Sequence, residues 1–207
     1  MIPVQVLSVR YLPNAHPSLR QGLGISDDRP ALALITTDCD DATYIALDQA
    51  TKAADVQVGY AHSFYAGAAN ASTPTAGEVI GILSAPTPGA VRAGMEAALE
   101  ALTRLGFSQA GEIPYLAHTV SSCGTYLAAE AGVRPGTPLA YLIAPPLEAM
   151  YALDAALKSA DVELCKLYPP PTETNFAGAL LTGTRSACQS ACEAFAQTIG
   201  SGPFSTC

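Results

Sequence analysis

Ala46-Leu47-Asp48-Gln49-Ala50-Thr51-Lys52-Ala53-Ala54-Asp55-Val56 recurs as Ala152-Leu153-Asp154-Ala155-Ala156-Leu157-Lys158-Ser159-Ala160-Asp161-Val162. Each matched position is 106 residues from its partner (152 − 46, 158 − 52, 161 − 55), about half of the 207 residues. A self-match at a fixed period marks a duplicated structural unit. Two copies are too few for a solenoid. They suit a protein that builds a symmetric assembly from pseudo-equivalent halves.

The match extends outward from this core. Leu32-Ala33-Leu34-Ile35 corresponds to Leu139-Ala140-Tyr141-Leu142, each an apolar run behind a proline, Pro30 or Pro138. Gly24-Ile25 corresponds to Gly132-Val133, Ala76-Gly77 to Ala177-Gly178, and Glu96-Ala97 to Glu193-Ala194. Their offsets fall from 108 to 101 to 97 (132 − 24, 177 − 76, 193 − 96), which places small deletions in the loops of the second copy. The expected division is residues 1–110 and 111–207, joined through the polar stretch Ser108–Pro114.

Each copy reads as strand, short helix or loop, strand, helix, strand, long loop, strand, helix. The expected strands are Val4–Val9, Ala31–Thr36, Val56–Tyr60 and Glu78–Leu83, then Ala117–Ser121, Leu139–Ala144, Val162–Leu167 and Ala177–Thr182. The expected helices are Ala42–Ala54 and Gly89–Leu105, then Leu147–Ala160 and Ser186–Ile199. In the first of these, Ile45, Ala46, Ala50 and Ala53 form one stripe and Asp48, Gln49 and Lys52 another, as on a helix covering a sheet. The fold class is α+β: antiparallel sheets covered by helices.

Composition narrows the function. The chain is 49% hydrophobic and only 14% charged, so part of its surface is expected to be buried against other subunits. A net charge of −8 argues against nucleic acid and anionic membrane as partners. No apolar stretch reaches the roughly 20 residues of a membrane span, and the first residues do not read as a signal peptide. The six cysteines, at 39, 123, 165, 188, 192 and 207, occupy no matching positions and form no CxxC. They read as reduced core residues in a cytosolic chain.

Asp38, Asp40 and Asp41 lie between a strand and a helix. Capping of the helix N-terminus and a hard-cation site are both open on the residues alone. His118 with Cys123 has no orienting third group, and Gly22-Leu23-Gly24 lacks the third glycine of a dinucleotide loop, so neither catalysis nor a cofactor is expected. Cys188 and Cys192 share a helical face without histidine, which favours core packing over zinc. The loops Ser63–Ala76 and Pro169–Asn175 are long enough to carry function.

Several strings resemble the tandem-domain shell proteins of bacterial microcompartments, of the ethanolamine-utilisation type. They are Thr37-Asp38-Cys39-Asp40-Asp41-Ala42-Thr43-Tyr44, Ser63-Phe64-Tyr65-Ala66-Gly67-Ala68, Pro74-Thr75-Ala76-Gly77-Glu78-Val79, Ala144-Pro145-Pro146-Leu147-Glu148-Ala149 and Pro169–Phe176. The similarity spans roughly Gln5 to Ile199. It departs around Phe107–Pro114, which is shorter, and at the unrelated tail Gly200–Cys207.

The resemblance implies two circularly permuted, ferredoxin-like shell domains, with three chains forming a pseudohexameric, non-enzymatic tile in a cytoplasmic microcompartment shell. Its partners would be itself and other shell tiles, hexameric and pentameric. It implies a gated central pore lined by Tyr65, Gly67 and Ala68 of one loop and Pro170, Thr172, Glu173 and Asn175 of the other. It places Lys52 and Lys158 along the tile edge. It also implies that Asp40, Asp41 and Glu78, with Phe107 nearby, line a small pore that binds the ammonium group of an amino alcohol. Pro146, Leu147 and Ala179 stand at the matching positions of copy two, so that pocket would occur once per chain. The competing reading is a soluble small-molecule sensor on a ferredoxin-like scaffold.

Overall fold

The computed structural model describes residues 1–64, 78–170, 172 and 176–201. The chain contains two compact units. One comprises Pro3–Gly106 with Gly124–Leu127, the other Met1–Ile2, Phe107–Cys123 and Ala128–Cys207.

In chain order the elements are β1 (Ile2–Pro3), β2 (Val6–Leu12), α1 (Pro17–Gly22), β3 (Ala31–Thr37), α2 (Asp40–Ala53), β4 (Gln57–Phe64), β5 (Glu78–Ala85) and α3 (Pro88–Leu102). They continue with β6 (Gly106–Ala110), β7 (Ile113–Val120), α4 (Thr125–Ala131), β8 (Leu139–Ala144), α5 (Pro146–Ser159), β9 (Val162–Tyr168), β10 (Ala177–Gly183) and α6 (Arg185–Gly200). The expected helices and strands are present, with ends moved by a few residues.

The first unit carries a four-stranded antiparallel sheet in the order β2-β3-β5-β4. The second repeats it as β7-β8-β10-β9 and adds β6 and β1 beyond β7. Four strands joined in the same spatial order at equivalent chain positions are the structural form of the sequence repeat. β6 is the main addition. The stretch expected to be a polar connection is a hairpin, with Ala110 opposite Ile113 and Gly111 at φ +60° in the turn. Pro114 reads as a breaker, but it pairs only with β6, while β7 meets β8 from Leu116 onward.

Helices cover one face of each sheet. In the second unit Ala140, Leu142, Ala177, Ala179 and Leu181 of the sheet pack with Ala149, Ala152 and Ala156 of α5 and with Cys188, Cys192 and Phe195 of α6. In the first unit α2 lies so close to β5 that a Cβ on Gly81 would come within 2.6 Å of Leu47 Cδ1. The opposite face is covered by the α1 segment, where Ala15, Ile25, Leu32 and Ile82 form a second cluster. The last helices share a cap as well. Thr87 Oγ1 accepts from Ala90 N–H at 3.2 Å, and Thr184 Oγ1 accepts from Ala187 N–H at 3.1 Å.

Asp48 has the least replaceable contact. Its fully buried carboxylate accepts from the N–H groups of Gly124 at 2.6 Å and Leu127 at 2.9 Å, while Thr51 Oγ1 accepts from Thr125 N–H at 3.1 Å. The start of α4 is thereby capped by side chains 70-odd residues away in sequence. Burial raises the pKa of Asp48 against the opposing pull of these N–H groups and of Lys52. A raised carboxyl pKa in the folded state means that this group's stabilising share is full below the ordinary value and declines as pH rises through the folded value.

A Cβ on Gly124 would meet Thr51 Oγ1 at 2.1 Å and the Asp48 backbone oxygen at 2.5 Å. We therefore expect Gly124→Ala to lower stability by about 1–3 kcal/mol in urea unfolding, because the obstruction includes backbone. Gly22→Ala, which meets nothing within 4 Å, should be neutral or slightly stabilising. In the pH series, Asp48→Asn should remove the declining component above pH 3.8 while lowering stability overall.

Candidate functional site

The acidic segment folds as the first turn of α2. Cys39, not an aspartate, occupies the N-cap position, and its side chain makes no capping hydrogen bond. Capping by Asp40 or Asp41 is thus corrected by one register step. Thr37 Oγ1 accepts from Cys39 N–H, and Thr43 Oγ1 donates to the Cys39 carbonyl. These bonds fix the backbone so that Asp40 and Asp41 are the first helical residues. Their negative charges there complement the exposed N–H groups and the positive end of the helix dipole.

Both carboxylates are buried, which an exposed acidic cluster would not be. Asp40 Oδ1 accepts from Asp41 N–H at 2.9 Å, and Oδ2 accepts from Ser63 Oγ–H at 2.6 Å. The Ser63 oxygen lies 2.6 Å from Tyr44 OH. Ser63 has one hydroxyl hydrogen and directs it to Asp40, so Tyr44 donates to Ser63. The result is an ordered relay, Tyr44 to Ser63 to Asp40, ending on a carboxylate. Charge-assisted bonds of this kind are about twice as strong as neutral ones. The Tyr44 ring also lies 6.0 Å from that of Tyr126. Asp38 faces elsewhere and accepts from Gln5 N–H at 2.7 Å.

Glu78 is the first residue of β5, opposite Phe64. Opposed residues of an antiparallel pair share a face and successive residues alternate. Glu78 therefore falls on the face of Phe64, His62 and Ile80, whereas Ser63, opposite Val79, faces α2. The hydrogen-bonded group is Asp40, Ser63 and Tyr44. Glu78 stands at the same end of the sheet, one pleat away. Phe107 belongs to the second unit, fully buried with its ring 5.8 Å from Phe176. Ser63 and Tyr44 were not singled out in the sequence. The sequence places Ser63 at the start of a loop, whereas it is the next-to-last residue of the longer strand β4.

Of the expected pore residues, Tyr65, Gly67, Ala68, Glu173 and Asn175 lie outside the described residues. Pro170 is exposed, and Thr172 Oγ1 donates to the Phe176 carbonyl at 2.7 Å. Lys52 Nζ lies 3.9 Å from the buried Asp48 carboxylate, whereas Lys158 pairs at 2.6 Å with Asp154, where both side chains are exposed. The same lysine–aspartate pair thus has two environments.

Three of the thiols, Cys39, Cys188 and Cys192, are made less acidic by their surroundings. Burial, and next the negative charge of Asp41, push the Cys39 thiol well up. Burial raises Cys188, and it pushes Cys192 to about 11. Both sit in the core of the second unit. His16 Nδ1 accepts from Ser18 N–H at the start of α1, and the His62 ring lies 4.5 Å from that of Tyr60. Among the described residues no group of three or more His, Cys, Asp or Glu is placed to hold a metal ion, and no helix is long and apolar enough to cross a membrane.

Two units with the same strand order make up the chain, and the comparisons place it in the microcompartment-shell class. The BMC domain profile matches residues 31–114. The chain is 57% identical over 205 residues to the bacterial microcompartment shell protein EutL of Clostridium perfringens (strain 13 / Type A), covering 97% of this chain and 94% of that one. The crystal structure of EutL from Clostridium perfringens superposes with a TM-score of 0.93 at 56% identity, over 99% of this chain and 96% of that one. The ethanolamine utilization protein EutL from Leptotrichia buccalis C-1013-b gives 0.91 at 53% identity, over 96% and 94%. The chain belongs to the EutL family of bacterial microcompartment shell proteins, which are structural proteins and not enzymes.

Removing the Ser63 hydroxyl takes one donor from the buried Asp40 carboxylate. Ser63→Ala should cost about 1–3 kcal/mol in chemical denaturation. Tyr44→Phe should cost less, because Ser63 keeps its bond to Asp40.

Proposed function

We propose that this chain is a shell tile working as a homotrimer of duplicated units, a pseudohexamer with a gated central pore, in a microcompartment in the bacterial cytoplasm. The observation that carries this reading is the repeated strand order of the two sheets, β2-β3-β5-β4 and β7-β8-β10-β9. Three chains then supply six similar positions to one ring. The repeats are residues 1–110 and 111–207, and the segments 63–76 and 169–176 surround the three-fold axis. Gating needs two loop packings within a few kcal/mol, biased by a ligand that prefers one of them. Other shell proteins, hexameric and pentameric tiles, are its partners at the rim.

Lys52 and Lys158 are the edge residues in this reading, and each sits in the last turn of a pseudo-equivalent helix. Replacing both with Ala should abolish flat sheets in electron micrographs of the overexpressed protein and leave the trimer intact. Sheets indistinguishable from wild type would remove the edge assignment.

The ligand site of this reading is built on Asp40, Asp41 and Glu78 of the first unit, and its ligand is a small amino alcohol. Burial of both aspartates supports it, since a desolvated carboxylate pair attracts an ammonium group more strongly than an exposed one. Millimolar affinity, about −4 kcal/mol, is sufficient for a pore ligand. Calorimetry with ethanolamine should show binding by wild type and loss in Asp40→Asn and Glu78→Gln. Equal heats in all three proteins would reduce the aspartates to a helix-terminal feature.

A further inference from the structure

Each repeat turns the same corner after its first long helix, but with different charges. α2 and α5 both end on an extended alanine, Ala54 at φ −147° and Ala160 at φ −148°. The same short bond follows, Val56 N–H to Ala54 O at 2.8 Å and Val162 N–H to Ala160 O at 3.0 Å. Asp55 and Asp161 stand at the turn. Gln57 then lies opposite Ser84, and Glu163 opposite Thr182.

The first corner is neutral. Lys52 lies 3.9 Å from Asp48, and Arg29 pairs with Asp55 at 2.8 Å while also donating to the Asp55 and Ser84 carbonyls. Two positive residues thus match two negative ones, and Gln57 adds none. In the second corner Lys158 pairs with Asp154. There Thr137 takes the place of Arg29, in the register that matches Pro138 to Pro30, and Glu163 takes the place of Gln57. One positive residue stands among three negative ones, a net of −2. Asp161 and Glu163 are exposed, and among the described residues neither belongs to an ion pair.

We propose that these corners make the contact between neighbouring tiles directional: the acidic corner of the second repeat meets the neutral corner of the first repeat of another copy, not its own kind. This rests on the tile reading with Lys52 and Lys158 at the edge, and names how its edges pair. Two acidic corners face to face would set Asp161 and Glu163 against their own copies, within the roughly 8 Å over which charges act at physiological ionic strength. Like charges across an interface reject that pairing. The unlike pairing sets the same carboxylates against the Lys52 ammonium and the Gln57 amide, both of which donate hydrogen bonds. Geometry makes the same choice. Where two repeats alternate round a six-position ring, opposite edges carry opposite repeats. Tiles lying in one orientation therefore meet first repeat to second along every edge. Like pairing needs each neighbour turned by half a turn, and three mutually adjacent tiles cannot all be turned relative to one another. Only the unlike rule fills a plane.

Electron crystallography of sheets grown from the purified full chain tests this. Wild-type tiles should lie in one orientation, giving three-fold but not six-fold symmetry. Asp161→Asn combined with Glu163→Gln makes the second corner as neutral as the first. Its tiles should lose the single orientation, and the averaged projection should approach six-fold symmetry. Wild type in about 1 M salt should do the same, because the screening length falls to about 3 Å. Glu163→Asp, which keeps the charge, should keep the wild-type order. Circular dichroism should be unchanged in all variants, since these residues are exposed. Mixed orientations in wild type would overturn the proposal. So would a single orientation that survives in the neutral double variant, since something other than charge would then set it. Either result leaves the tile reading standing. Wild-type trimers that form no sheets would overturn the proposal together with the edge assignment, and a monomeric wild type would end the trimeric reading itself.

Discussion

Asp48 is the residue on which the first unit turns. Its carboxylate is desolvated, and what compensates is a pair of N–H groups at the start of α4. A buried carboxylate without such donors would be far costlier than the hydrogen bonds it makes. Everything around it serves that geometry: Thr51 takes the intervening N–H, Gly124 has no side chain to block the approach, and Lys52 supplies a distant positive charge. Because α2 is held here just past its midpoint and pressed onto Gly81 through Leu47 on its inner side, the first turn of the helix is fixed as well. That turn carries Asp40, and the Tyr44–Ser63–Asp40 relay is set by it.

The repeat made most of this architecture legible. Apolar runs behind Pro30 and Pro138, alternating strands and alanine-rich helix faces give both sheets and all four long helices. The boundary hairpin was not legible, because β6 is short and partly polar and Pro114 imitates a break. The unlike fates of Asp48 and Asp154 were not legible either. They are the same residue at the same position of the two repeats, each four residues before a lysine. Only tertiary contact decides that one is a buried acceptor and the other an exposed partner of Lys158.

The candidate site was legible in residue type but not in arrangement. Three carboxylates near the same sheet end suggest one pocket. The pleat separates them, since a single-residue step between Ser63 and Phe64 sends their partners to opposite faces. The relay residues are not legible in the sequence because a lone serine at a strand end and a lone tyrosine on a helix carry no periodic signal. Their importance comes from the hydroxyl order imposed by a buried carboxylate, a feature of three-dimensional proximity alone.

The two units also exchange short pieces of chain. Gly124–Leu127 completes the first unit, and Met1–Ile2 joins the second, where β1 lies beside β6. This bears on how the protein is made. As the polypeptide leaves the ribosome, the first repeat is sequence-complete long before it is structurally complete, because Asp48 waits for residues synthesised well into the second. The very first residues wait for β6, which is synthesised shortly before the Gly124–Leu127 segment. Domains that emerge in order usually fold in order. Here the interleaved ends delay that commitment, since a chain arrested before Gly124 leaves Asp48 without the N–H groups that compensate its burial in the finished fold.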